Sequence, residues 1–345
     1  MEKIKTVNAK GRKGGHCQGI AIDKERKYMY FSFTTELVKT DMEGNVIGSC
    51  KGIVGHLGCI AMNYEENKIY GSLEFKHDSI GKGILANLGV EDNIEDGFYI
   101  SIFDCEKIVR ENMDAEKDGV MKAAYLKEVY DDYKYPCHKY GCSGIDGTTI
   151  APDIGKTEGE NFLYVAYGIY SDLIRSDNDN QVILKYNLSE LKEKSAPLNQ
   201  KNMHKIGPEA PLEKYFLYTG NTNWGVQNLE YDPHRNVIMA AVYRGIKEKF
   251  KNFDMFFIDM SKAPELTDIE GLSEKGLKIY LKENFIKDDE NGAFGLFFPY
   301  GSTGMISLGS GYYLFSEDFR NEEGHGTNVV LYKALETDEG FIKVN

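Results

Sequence analysis

The chain has 345 residues, 41 % of them hydrophobic and 12 % aromatic, which is enough for a large core and more than an ordinary single-core domain holds. Its formal net charge of −13 repels phosphate backbones and argues against general nucleic-acid binding. No apolar run reaches the length of about 18 residues that a membrane-spanning helix needs.

The first stretch, "MEKIKTVNAKGRKGG" (1–15), carries basic residues but no apolar core of a secretory signal, so a cytoplasmic location is expected, or a secreted one if a leader has been trimmed. Its segment "KIKTVNA" (3–9) reads as a lone strand. "HCQGIAID" (16–23) follows, and its pattern returns as "HLGCIAMN" (56–63), "GCSGIDGT" (141–148), "GVQNLEYD" (225–232) and "GSTGMISL" (301–308). Each time a small or polar residue and a Gly, Cys or Asn precede an aliphatic strand start. Behind each start come β-branched and aromatic runs bounded by turn residues, such as "YMYFSF", "KIYGSLEF", "FLYVAYGI", "VIMAAVY" and "YYLFSED". Several are apolar throughout, as strands buried on both faces are.

Repeated four-stranded units predict an all-β fold, a five-bladed β-propeller filling the whole chain as a single domain. The blades are expected at about 15–51, 55–131, 141–220, 225–284 and 301–345, with strand 3–9 closing the last one and protecting its edge. In blade four the outermost strand is read as "LKIYLKE" (277–283), and in blade two as "MKAAYLKEV" (121–129).

The turns between first and second strands are short, for example "DKERK" and "DPHRN". Loops at the opposite ends are long: "KHDSIGKGILANLGVEDNIEDG" (76–97), "YSDLIRSDNDN" (170–180), "RGIKEKFKNF" (244–253) and "DFRNEEGHGT" (318–327). Long loops gathered around one axis mark a binding face. His16 and His56 take equivalent places in adjacent blades and are candidates for an acid/base pair or for metal ligation. Glu74, Lys76 and His77 cluster at a strand end, where they can bind an anion or move protons. Tyr167 and Arg244 complete the candidate catalytic set; Gln18, Trp224, Gln227, Asn228 and Tyr243 complete the candidate substrate-binding set. The indole suits a sugar face and the amides suit hydroxyls.

Asp146 interrupts an apolar strand start, so it is expected to face the channel or a divalent cation on its axis. "RSDNDNQ" (175–181) has the Asp177-x-Asp179 spacing of a calcium loop, but lacks the glycine and glutamate of an EF-hand. Of the six cysteines, Cys137 and Cys142 are spaced for a disulfide or for two free thiols, the latter being the cytosolic expectation.

The stretches "HCQGIAID", "GHLGCIAMN", "YGSLEFKHDSIGKGIL" and "GCSGIDG" resemble uncharacterised bacterial five-bladed propellers over essentially the whole chain. The repeat is similar to the broad NHL-like and sugar-processing propeller class, which includes five-bladed glycosidases and uronate-specific lyases. The resemblance implies the fold. Toward the glycosidases it implies three carboxylates on successive blades; Asp146 and Glu230 match, whereas blades one and two carry histidines there. The functional expectation is a carbohydrate-active protein, a lyase or hydrolase acting on an acidic sugar, with a small-molecule or oligosaccharide ligand. In the lyase version Lys76 or Arg244 neutralises a carboxylate while His16, His56 or Tyr167 removes the adjacent proton. The alternative is a non-catalytic sugar- or protein-binding scaffold using Trp224, Gln227 and Asn228.

Overall fold

In the computed structural model, which describes residues 7–156, 159–220, 222–335 and 340–344, the apolar runs pair as antiparallel strands. After β1 (Val7–Arg12), blade one is β2 (Cys17–Ile22), β3 (Tyr28–Phe33), β4 (Glu36–Asp41) and β5 (Val46–Lys51), in that spatial order. Blade two is β6 (His56–Asn63), β7 (Lys68–Phe75) and β8 (Gly97–Asp104). The short β9 (Met113–Asp114) returns to the edge of β5, and β10 (Met121–Tyr125) completes blade two beyond β8. Blade three is β11 (Cys142–Pro152), β12 (Asn161–Ile169), β13 (Asn180–Asn187) and β14 (Glu213–Tyr218). Blade four is β15 (Asn223–Asp232), β16 (Val237–Tyr243) and β17 (Met255–Asp259).

The turns leaving the inner strands repeat one local device. Asp23 accepts hydrogen bonds from the N–H groups of Lys27 and Tyr28, Asn63 from Glu65 and Glu66, and Asp232 from His234. Shortly after each carboxylate or amide a left-handed residue reverses the chain: Arg26, Asn67 and Asn236.

The expected outer strand of blade four divides between two blades. β18 (Glu265–Asp268) and β19 (Lys275–Lys278) extend blade three, with β19 running parallel to β14 through Tyr215 and Leu277. Only then does the chain reach blade four, where Asp259 donates to the Tyr280 carbonyl and Lys282 to that of Phe257. A small hairpin, β20 (Ile286–Lys287) and β21 (Phe294–Gly295), leads on to blade five. The outer strand of blade two also stops early. At Leu126 the chain turns into a helix over Lys127–Lys134, and a second helix, Ser79–Leu88, lies inside the long loop after β7.

Blade five is β22 (Met305–Gly309), β23 (Tyr312–Asn321) and β24 (Gly324–Ala334). Two segments share the outer edge of β24: β1, through Val7 opposite Val329, and β25 (Phe341–Lys343), through Phe341 opposite Ala334. The N-terminal closure is therefore present, reaching to Arg12; residues 3–6 of the expected strand lie outside the described residues. Arg12 then bonds Glu36 of blade one, which fastens the seam.

Five apolar clusters fill the gaps between neighbouring blades, one per gap and including the seam. Tyr30 with Leu73, Ile100 with Ile145, Tyr164 with Ile238, Phe257 with Tyr313 and Phe31 with Leu314 mark the five in order. Fully burying each large side chain contributes roughly 1.5–3 kcal/mol. The uninterrupted apolar runs follow from this arrangement, since a blade buries both faces of its middle strands. No helix among the described residues is long and apolar enough to cross a membrane.

Candidate functional site

The inner strands β2, β6, β11, β15 and β22 surround the axis, and the starts of the first four converge on one mouth. Each of these four carries a break in its ladder near that start, such as those between Cys17 and Gly19, Leu57 and Ile60, and Ile145 and Thr148. Such bulges re-aim side chains. The last of them turns Asp146 out of the apolar alternation and into a cavity of about 410 Å³.

The recurring glycine has a steric cause. A Cβ on Gly58 would lie 2.2 Å from Asp146 Oδ1, and one on Gly144, itself at a φ of +129°, would lie 1.9 Å from Glu74 Oε2. The bare positions make room for carboxylates of the neighbouring blade.

Blade one brings His16 and Gln18 to the cavity wall, and blade two brings His56, Glu74 and Lys76. Asp146 comes from blade three, Trp224, Gln227 and Tyr243 from blade four, and His325 from blade five. Glu74 is the hub. One oxygen lies 2.6 Å from Lys76 Nζ and 3.5 Å from His56 Nδ1; the other accepts from the Ile145 N–H at 3.0 Å. Lys76 also donates to the Ser143 carbonyl at 2.8 Å and faces Asp78 at 3.4 Å. All three of its donors are thereby engaged within the protein.

These contacts set the charges. Burial pushes the Glu74 carboxyl up, but Lys76 and His56 outweigh it and hold it below its ordinary value. Burial likewise opposes charge on Lys76 and His56, and the carboxylates of Glu74, Asp78 and Asp146 overcome it, so both are held protonated more firmly than usual. His16 behaves oppositely: burial, then repulsion from His56 and His325, lowers it to about 4. The neutral imidazole Nε2 stands 3.3 Å from the Tyr243 hydroxyl. Asp146 rises to about 7 through burial, with His56 pulling it down and Glu74 pushing it up. One Asp146 oxygen accepts from the Cys59 N–H at 3.2 Å.

Four of the expected residues stand elsewhere. Tyr167 is fully buried between blades two and three, its hydroxyl 2.8 Å from Asp132; alternation along β12 sends Leu163, Val165 and Tyr167 into that gap and Tyr164 and Ala166 into the next. Arg244 points outward, forked onto Asp254 and stacked over Phe297. His77 sits outside the cavity between Asp92 and Asp96. Asn228 is buried near the axis as a structural tie, donating to the carbonyls of Gln18 and Ser302 at 2.8 Å each and accepting from Cys59 Sγ.

Glu230 lies at the opposite mouth, in a cavity of about 580 Å³, where it accepts from the Ser307 N–H. It therefore shares no site with Asp146, which removes the two-carboxylate match to glycosidases. In the stretch with calcium-like spacing, Arg175 pairs with Asp177, while Lys247 and Lys249 pair with Asp179, so cations of the chain already occupy both carboxylates. Among the described residues no three His, Cys, Asp or Glu side chains converge as a metal site, and the axial cation expected at Asp146 has no ligand set there. All six cysteines are free thiols, Cys137 exposed and Cys142 buried.

His325 was not singled out from the sequence, although its "GHG" context in a mouth loop was a usable signal. Its ring centroid lies 6.1 Å from that of His16. The helix Ser79–Leu88 was also missed: its residues Ser79, Gly83 and Asn87 line the cavity.

No protein-family model matches the sequence, and no curated protein does. Among solved structures the chain is similar to the tail fiber of Staphylococcus aureus phage P68, at 12 % identity and a TM-score of 0.40, covering 95 % of this chain and 52 % of that one. It thus spans about half the length of that fiber chain. It is also similar to the β-propeller domain of Myceliophteria thermophila Cps50 (Swd1), at 8 % identity and a TM-score of 0.34, covering 94 % and 99 % of the two chains.

Proposed function

We propose that the mouth binds a small acidic saccharide and acts on it by proton transfer, as a lyase or hydrolase. The observation that carries the reading is one cavity lined by two imidazoles shifted in opposite directions, His16 toward the neutral form and His56 toward the charged one, and by the phenol of Tyr243. Its volume of about 410 Å³ falls within the range of about 300–1,000 Å³ usual for small-molecule sites. Trp224 adds an apolar face to the wall and Gln18 and Gln227 add amides.

In the elimination version His16 takes the proton α to the substrate carboxylate. The C–H electrons form the new double bond, the C–O bond β to the carboxylate breaks, and the leaving oxygen takes a proton from Tyr243. His56 stabilises the negative charge that grows on the carboxylate. This role passes to His56 because Lys76 has no donor left and Arg244 lies outside the cavity. The test is turnover of uronate oligosaccharides, followed by the absorbance of the unsaturated product or by reducing ends. His16→Ala with His56→Ala is expected to abolish it while the fold survives. Unchanged turnover in a folded double variant overturns the proposal.

Binding without turnover is a second reading. Trp224 supports it, held at the wall with a φ of +63° while its carbonyl accepts from Gln227. Saccharide affinity that survives the double substitution, with no product from the wild type, selects that reading.

A further inference from the structure

The helix Ser79–Leu88, α1, is inserted between β7 and β8. Asp78 caps its start by accepting from the N–H groups of Ile80 and Gly81, and Gly89 ends it in a left-handed turn. Ile84 and Leu85 are both buried; Leu85 joins the apolar cluster between blades one and two, whereas Ile84, with Ile80, faces the cavity. Two glycines interrupt it, for opposite reasons. At Gly81 a Cβ would come within 1.8 Å of the Lys76 carbonyl oxygen, so only glycine fits. At Gly83 a Cβ would meet no heavy atom within 4 Å, and the backbone is ordinary helix.

A glycine inside a helix is less stable than alanine there. Nothing in the packing of α1 compensates that cost at position 83. Gly83 does line the 410 Å³ cavity, with Ser79 and Asn87. The three are spaced four residues apart and form one helix face. The same cavity holds a buried carboxylate with a free oxygen. Asp146 is only 8 % exposed, and its second oxygen has no hydrogen-bond partner among the described residues.

We infer that α1 is the specificity wall of the mouth: Ser79 and Asn87 meet ligand hydroxyls, and bare Gly83 holds open the space a sugar ring occupies. The residue at position 83 then sets how large a saccharide enters. This rests on the saccharide reading above. Side chains added to such a wall discriminate between ligands by about 10- to 200-fold per methylene.

The experiment compares the wild type with Gly83→Ala and Gly83→Leu in three measurements: thermal midpoint, carbethoxylation of His16 by diethyl pyrocarbonate with His234 on the opposite face as internal control, and calorimetric binding of galacturonate and its trimer. Both variants are expected to melt at or above the wild-type midpoint. In Gly83→Leu the modification of His16 relative to His234 should slow at least about 10-fold, and the trimer should lose more affinity than the monomer. A folded Gly83→Leu whose His16 reacts at the wild-type rate overturns the proposal. Protection of His16 in a protein whose wild type binds neither sugar supports the wall and overturns the saccharide class.

Discussion

Lys76 separates a framework role from a ligand-binding one. Its ammonium is buried, 2.6 Å from Glu74, 2.8 Å from the Ser143 carbonyl and 3.4 Å from Asp78. Lys76→Met leaves the Glu74 carboxylate buried against His56, whose Nδ1 is 3.5 Å away. Removing one partner from such a buried group costs about 3–5 kcal/mol. Unfolding entropy of about 2.1 cal/mol/K per residue over 345 residues turns this into a midpoint lowered by about 4–7 °C. Thermal and urea unfolding followed by circular dichroism measure it. Adding Glu74→Gln to Lys76→Met removes the stranded charge and should restore most of the loss. A single-variant loss below about 1 kcal/mol would refute the reasoning, because it would mean that the ammonium is hydrated and free to meet a ligand.

Two mouth groups titrate in opposite directions. Asp146, at about 7 folded against about 3.9 unfolded, contributes stability that is full below pH of about 4 and lost as pH rises through about 7. His16, at about 4 folded against about 6.5 unfolded, contributes stability that is full above about 6.5 and lost as pH falls through about 4. Asp146→Asn should therefore make stability climb more steeply with pH across that window, and His16→Gln should flatten or reverse the climb, both read by urea midpoints across the range. Asn228→Ala strands the Gln18 and Ser302 carbonyls at the axis and should cost roughly 2–4 kcal/mol; a loss under about 0.5 kcal/mol would show the tie to be dispensable. Tyr167→Phe gives up only the bond to Asp132, which keeps Lys214. A loss of about 1–3 kcal/mol with unchanged ligand affinity is expected, and lost binding at unchanged stability would return Tyr167 to the site.

Much of the ring was legible because propeller strands follow local rules. Apolar runs, Asx turns and a recurring glycine step are properties of short stretches, and they located the inner and second strands of every blade. The outer strands were harder, since an edge pairs with whatever lies beside it. "LKIYLKE" carries a good strand pattern, yet its first half meets β14 of blade three and its second half meets β17 of blade four. Helix α1 escaped notice because a ten-residue segment with two glycines has a weak helical signal.

The mouth divides the same way. By position alone, equivalent strand starts in adjacent blades told that His16 and His56 are neighbours, and the broken alternation at Asp146 told that it leaves the core. These follow from strand period and blade repetition. What each group does was decided across the gaps between blades. Lys76 and Arg244 read alike as cations at strand ends, but one is sealed among Glu74, Asp78 and Ser143 and the other turned outward onto Asp254. Asp146 and Glu230 read alike as carboxylates on inner strands, but they occupy opposite ends of the channel. Alternation along a strand assigns a side chain to a face. The partner opposite that face, and with it the charge, the burial and the freedom to meet a ligand, comes only from the blade packed against it.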